Sequence, residues 1–248
     1  MGYGQQPVVR ELRVVLPRLP AEISPLRVLH FADPHLRGAP RENALLLGAL
    51  LAKPADLIAC TGDLFYSRTT PAAVALAFLK RLRRESSPRF GLHLVCGNND
   101  DPKAMGVLAE NGFSVLINRS LPMPGAAAPW CLAGVDDPFT RRSNLAMTLN
   151  GVPDDAFKIL LSHSPDVLYG AARFGVDLVL AGHTHGGQIR LPLIGALFTQ
   201  SRISPQYAWG VHMLGKTVIH TTCGAGASFP PIRVNCPAEV VRLELVRG

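Results

Sequence analysis

Five short segments of this sequence concentrate side chains that bind divalent cations: Asp33-Pro34-His35, Gly62-Asp63, Gly97-Asn98-Asn99-Asp100, Ser162-His163-Ser164 and Gly182-His183-Thr184-His185. Carboxylates, imidazoles and one amide oxygen form a mixed N/O donor set that suits Mn²⁺, Fe or Zn²⁺. Two such ions side by side can clamp the oxygens of a phosphoryl group and supply a hydroxide to attack it. Taken singly, most of the segments have a plainer explanation. Asp-x-His is a common loop tripeptide, Gly-Asp and Gly-Asn-Asn are ordinary turn sequences, and a lone histidine at a strand end is more often structural than a ligand. The last segment is different. Two imidazoles two residues apart, with glycines on both sides, leave little reason for the spacing except metal or phosphate.

The joint arrangement carries more weight, because each segment sits at the end of an apolar run. Leu26–Ala32, Asp56–Cys60, Leu92–Cys96, Phe157–Leu161 and Val176–Ala181 read as buried strands, and Trp130–Val135 as another. Residues two apart on an extended exit point the same way, so Asp33 and His35 can reach one ion. Between the strands, Ala44–Leu51 is apolar and rich in helix formers. Pro71–Arg84 reads as a helix with proline at its start. Pro102–Asn111 reads as a short helix closed by Gly112. After Gly187 the pattern changes to strands at Gln188–Leu191, Ala208–Leu214, Thr217–Thr222 and Glu239–Leu245, whose short connections suggest antiparallel hairpins. Alternating strand and helix, then strands alone, predicts an α/β chain with two sheets and outer helices.

Bulk properties fit one globular domain over residues 1–248: the chain has 248 residues, 48% of them hydrophobic, and no repeat or linker tract. No apolar run approaches the roughly 18 residues of a membrane span. The first ten residues lack the apolar core of a secretory signal, and Gln6 stands where a myristoylation motif needs Ser or Thr. Five cysteines with no C-x-x-C spacing argue against a disulfide framework or a zinc ribbon. Cys60, Cys96 and Cys131 read as buried thiols, which implies a reducing, cytoplasmic compartment. The net charge of +7 suits an anionic substrate or an anionic membrane surface. No nucleic-acid partner is expected, because aromatics are only 6% of the chain and no nucleic-acid motif is present.

In this order the segments resemble the calcineurin-like metallophosphoesterase superfamily, whose pattern runs D-x-H, G-D, G-N-H-D/E, H and G-H-x-H. The resemblance spans roughly residues 27 to 245. The GHTHGGQ segment, the following RLPLIGALFTQSRIS stretch and the late PIRVNCP are similar to the bacterial YkuE-like phosphodiesterase branch. The resemblance implies the metallophosphoesterase fold, a four-layer α/β/β/α sandwich of two mixed sheets. It implies that Asp33, His35, Asp63 and His185 hold one ion, and that Asp63, Asn98, His163 and His183 hold the other. Asp63 then bridges the two, a bridging hydroxide is the nucleophile, and Mn²⁺ is the first expectation for the metal.

One position departs from the pattern. Asn99 stands where the family usually has a histidine thought to assist the leaving oxygen. An amide cannot supply that proton, although its NH₂ still donates hydrogen bonds. An alkoxide leaving group would lose a factor of about 10²–10⁴ in rate without its acid; a phosphate leaving group needs none. Related UDP-2,3-diacylglucosamine pyrophosphatases also depart from histidine here, using Arg. Asn99 therefore points to a phosphodiester or pyrophosphate bond, with a lipid-linked or nucleotide-sugar substrate preferred, and Asp100 beside it is a candidate to orient a neighbouring side chain. A phosphomonoesterase, or a binding scaffold that kept the fold and lost turnover, are the alternatives.

Arg37 and Arg68, in loops after strands, are candidates to bind a second phosphate, and His220 is a candidate substrate contact. Arg141, Arg142 and Arg190 are further loop arginines of the same kind. Leu191–Phe198 is either a buried loop packed on the sheet or an apolar lip that admits acyl chains or touches a bilayer, giving peripheral membrane contact. The sequence leaves the oligomeric state open.

Overall fold

A computed structural model describes residues 6–191, 195, 196, 198–228 and 232–248. Its strands are β1 (Val8–Val15), β2 (Leu26–Phe31), β3 (Leu57–Cys60), β4 (Leu92–Leu94), β5 (Ser114–Val115), β6 (Arg119–Pro122), β7 (Trp130–Gly134), β8 (Phe157–Leu161), β9 (Leu178–Ala181), β10 (Arg190–Leu191), β11 (Gly195–Ala196), β12 (Gly210–Leu214), β13 (Thr217–Thr221) and β14 (Glu239–Val246). The helices are α1 (Pro40–Leu50), α2 (Ala72–Ser86), α3 (Pro102–Glu110), α4 (Leu145–Thr148) and α5 (Leu168–Arg173). Two six-stranded sheets result, ordered β1-β14-β2-β3-β4-β5 and β12-β13-β9-β8-β7-β6, with β10 and β11 as a separate pair.

Three apolar layers hold the sheets and helices together. The middle layer joins the inner faces of the sheets: Val28, Leu57 and Leu243 from one meet Leu132, Ile159, Leu161 and Leu180 from the other. On the outer face of the first sheet, Leu29, Ile58 and Leu94 pack on Leu46 and Leu50 of α1, Leu79 and Leu82 of α2 and Leu108 of α3. On the outer face of the second, Leu160, Val179 and Ile219 pack on Leu168 and Ala171 of α5 and on Tyr207. The expected four-layer α/β/β/α order is therefore present. Strands β2, β3, β4, β8 and β9 carry near-continuous apolar runs because both faces of each are covered.

β2, β3 and β4 run parallel, as do β7, β8, β9 and β13. Their carboxyl ends share one edge of each sheet, and loops at such ends form the crevice where α/β proteins bind ligands.

Several expectations needed correction. α1 begins at Pro40, with proline in its first turn, rather than at Ala44. Among the described residues the strand-rich tail forms two antiparallel pairs of consecutive strands, β10 with β11 and β12 with β13. β14 instead returns to the first sheet, antiparallel to β2 and parallel to β1. β1, at the edge of the first sheet, is an additional strand beyond those expected. No described helix is long and apolar enough to cross a membrane. All five cysteines are buried and free. Of the apolar stretch Leu191–Phe198, residues 192–194 and 197 lie outside the described residues. Leu191 and Phe198 themselves are exposed, Phe198 at 69%.

Candidate metal centre

The seven side chains expected as ligands meet at the carboxyl edges of the two sheets. Asp33 and His35 leave β2, Asp63 leaves β3, Asn98 follows β4, His163 follows β8, and His183 and His185 follow β9. Their donor atoms face one another at short range. His163 Nε2 lies 3.0 Å from Asn98 Oδ1, 3.1 Å from His183 Nδ1 and 3.5 Å from Asp63 Oδ1. His35 Nε2 lies 3.3 Å from His185 Nε2 and 3.9 Å from Asp63 Oδ2, and His185 Nε2 lies 3.8 Å from Asp33 Oδ1. Donors bonded to one ion at about 2.0–2.2 Å sit at separations of this size. Two groups could each hold an ion, Asp33–His35–His185 and Asp33–Asp63–His163. Asp33 Oδ1 is buried with no hydrogen-bond partner among the described residues, as a carboxylate oxygen reserved for a cation would be. The donor set and this orphaned oxygen both fit divalent metal.

The backbone is strained at the site. Asp33, His35, Asp63, His183 and His185 all adopt positive φ, between 47° and 69°, a region that non-glycine residues rarely occupy. Five such residues in one cluster mark a place where geometry is held against local preference. The neighbouring glycines leave the room this needs. A Cβ on Gly97 would lie 2.2 Å from Asp63 Oδ1, and one on Gly182 would lie 2.8 Å from Asp33 Oδ2.

Main-chain oxygens orient three of the four imidazoles. His163 Nδ1 donates to Thr61 O at 2.9 Å, His183 Nε2 to Gln200 O at 3.0 Å, and His35 Nδ1 to Phe65 O at 3.4 Å. Each leaves its other ring nitrogen facing the cluster, the usual arrangement behind a ligating histidine. His185 differs, because its Nδ1 faces the Arg233 guanidinium at 3.2 Å. Phe139 packs against the His183 ring, with centroids 4.4 Å apart.

Burial and mutual charge set the protonation of the metal-free site. Burial pushes the Asp33 carboxyl up to about 7; His163 pulls it down and Asp63 pushes it further up. Burial opposes the charged form of His163, but Asp63 and Asp33 outweigh it and raise the ring to about 9. Burial, with His163 beside it, lowers His183 to about 4. Asp63 lies below the usual carboxylate range: burial acts upward, and His163, His35 and the Asn99 hydrogen bonds overcome it.

Asn99 is at the centre, but it binds Asp63: its backbone N–H donates to Oδ1 at 2.8 Å and its Nδ2 to Oδ2 at 2.6 Å. The Asp100 carboxylate accepts from Phe65 N at 3.0 Å and Gly97 N at 2.8 Å, so it ties the Asp63 and Asn98 loops together. Burial, then Asp63, raises its carboxyl to about 7. Arg68 is exposed and donates to Asn98 O at 3.0 and 3.2 Å, which puts it beside the centre. Arg37 lines a cavity together with His35 and Arg233, with its guanidinium 4.1 Å over the Tyr66 ring and Nε 3.9 Å from Glu42.

His220 is not a surface contact. It lies on β13 at 1% exposure, with Nδ1 2.9 Å from His30 Nδ1, because its strand direction points the ring between the sheets. Arg233 and the oxygens of Thr61, Phe65 and Gln200 were missed. The oxygens leave no trace in side-chain identity, whereas Arg233 lies in the PIRVNCP stretch, to which the resemblance assigns no role.

Comparison with known proteins agrees with this geometry. A family model for calcineurin-like phosphoesterases matches residues 26–187. The chain is 29% identical over 228 residues to an uncharacterized metallophosphoesterase, YkoQ, of Bacillus subtilis, covering 87% of this chain and 82% of that one. It is 29% identical over 231 residues to YkuE of the same organism, another uncharacterized metallophosphoesterase, covering 90% and 79%. It is 30% identical over 242 residues to the phosphodiesterase YaeI of Escherichia coli, covering 90% and 83%. The chain belongs to the calcineurin-like phosphoesterase family.

Proposed function

We propose that this chain is a phosphohydrolase with a two-ion centre that cleaves a phosphodiester or pyrophosphate bond. The observation that carries the reading is Asp63, whose two oxygens face opposite ways, Oδ2 toward His35 and Oδ1 toward His163. Asp33, His35 and His185 complete one set with it; Asn98, His163 and His183 complete the other. Two divalent ions, with Mn²⁺ as the first choice and Fe or Zn²⁺ as alternatives, would supply Lewis acidity and activate the attacking water. The chain's own residues do the rest. The three carbonyl-backed imidazoles hold their free nitrogens inward, Asp100 pins the two loops, and the burial of the ligands keeps water from competing for them.

The bond type follows from Asn99. No imidazole stands where an acid for the leaving oxygen is expected, and the amide is engaged by Asp63. This favours bonds whose leaving group departs as a stable anion. The name of YaeI, a phosphodiesterase, speaks for a diester. The exposed Leu191 and Phe198 beside the His185 segment speak for a lipid-linked substrate and peripheral contact with an anionic membrane. The five buried free thiols speak for a reducing, cytoplasmic setting. The whole chain, 1–248, acts in this reading as one catalytic domain, with Arg68 as its nearest candidate for a second phosphate.

A panel of mono-, di- and pyrophosphate esters under Mn²⁺ tests the reading. Turnover of diesters or pyrophosphates above monoesters is expected. Preference for monoesters would replace the reading with a phosphomonoesterase, and bound metal without turnover would replace it with a binding scaffold.

A further inference from the structure

The four histidines of the centre are not backed alike. His35, His163 and His183 each donate their rear N–H to a main-chain oxygen. Such an acceptor raises the ring's donor strength toward an ion. The His185 ring has Arg233 Nη2 at 3.2 Å from its rear Nδ1. A guanidinium can only donate and carries a positive charge. It cannot accept the N–H that a neutral His185 carries at Nδ1 when Nε2 faces an ion, and its charge repels a cation held on the other side.

Arg233 is also buried, at 6% exposure, so water screens that charge weakly. Its fork is fixed by main-chain oxygens: Nε donates to Gly226 O at 3.1 Å, Nη1 to Cys236 O at 3.2 Å and Nη2 to Cys223 O at 2.7 Å. These oxygens belong to the loop that backs Asp33, where Gly226 N donates to Asp33 O at 2.8 Å. Asp33, with Oδ1 3.8 Å from His185 Nε2, brings a carboxylate to this ion position.

We infer that Arg233 weakens the Asp33–His35–His185 ion position: its charge offsets that of the Asp33 carboxylate and keeps the ion there exchangeable and strongly electrophilic. The inference rests on the two-ion reading above. It gives a role to the PIRVNCP stretch, which the proposed chemistry otherwise leaves unused.

The test is calorimetric titration of the metal-free protein with Mn²⁺ alone. Wild type is expected to bind two ions. Arg233→Gln removes the charge and keeps a polar side chain, and should tighten one of the two positions about tenfold or more, leaving the other within about twofold. Arg233→Lys keeps a charge and should not tighten either position. Arg233→citrulline, introduced by ligating a synthetic tail at Cys223, keeps the shape and removes the charge. It should reproduce the glutamine result, and it decides the matter if the glutamine variant fails to fold. If the citrulline protein binds Mn²⁺ as wild type does, or more weakly, Arg233 serves only to hold His185 and the inference is overturned. If wild type binds no Mn²⁺ at all, the two-ion reading falls first, and this inference with it.

Discussion

At the residue scale, the protonation of the metal-free cluster sets how it takes up metal. His163 is raised to about 9 and Asp33 to about 7. A group whose folded pKa exceeds its unfolded one stabilises the fold below the unfolded value and loses that contribution as pH rises through the folded one. Asp33 therefore stabilises the metal-free fold less and less from about pH 4 to about 7, and His163 from about pH 6.5 to about 9, while His183, lowered to about 4, acts in the opposite sense between about pH 4 and 6.5. Metal must displace the same protons, so its affinity should rise over that range. The increase in melting temperature on adding Mn²⁺ should accordingly grow from pH 5.5 to pH 8.5; an increase that shrank with pH would contradict these protonation states. Asp63 faces both ligand sets, so Asp63→Asn should weaken both ions while Asp33→Asn weakens mainly one, as metal content will report. Equal partial loss in the two variants would remove the bridging role. Asn99→His should raise turnover of alkoxide-leaving esters and leave p-nitrophenyl esters unchanged, since only the former need an acid. A gain on both classes alike would mean a positioning effect instead.

Among the elements, the strands that carry ligands were the most legible, because runs such as LRVLHF and FKILL are apolar on both faces and end in a polar ligand. The pairing of the last strand was not legible. β14 is nearly as buried as the others, and nothing local says that it returns across the molecule to lie between β1 and β2. β1 escaped notice because its residues alternate between half-buried and exposed at an edge. His220 was misplaced for a related reason: the side of a strand on which a residue falls depends on register, which the sequence leaves unstated. The turns between strand and ligand are more demanding than their composition suggests. Gly97 has no room for a side chain against Asp63. Gly97→Ala should cost about 1–3 kcal/mol as the crowded loop shifts, and it should lower metal content beyond what the loss of stability explains. A variant with wild-type melting temperature and full metal content would show that the Asp63 and Asn98 loops need not approach so closely.

At the scale of the whole molecule, two sheets bring their carboxyl edges together, and each contributes part of the site. Asp33, His35, Asp63 and Asn98 come from the first; His163, His183 and His185 come from the second. The centre thus depends on the apolar layer between the sheets, although none of its ligands lies in that layer. That the seven expected residues lie near one another was readable in their order, because each follows a strand of the two sheets. What surrounds them was not readable, because Arg233 reaches His185 from 48 residues further along the chain. Anomalous diffraction from crystals loaded with Mn²⁺ tests the central claim most directly. The account predicts two peaks roughly 3.5–4 Å apart, with Asp63 between them, His163 and His183 on one and His35 and His185 on the other. A single peak, or two peaks with Asp63 bound to only one, would contradict it.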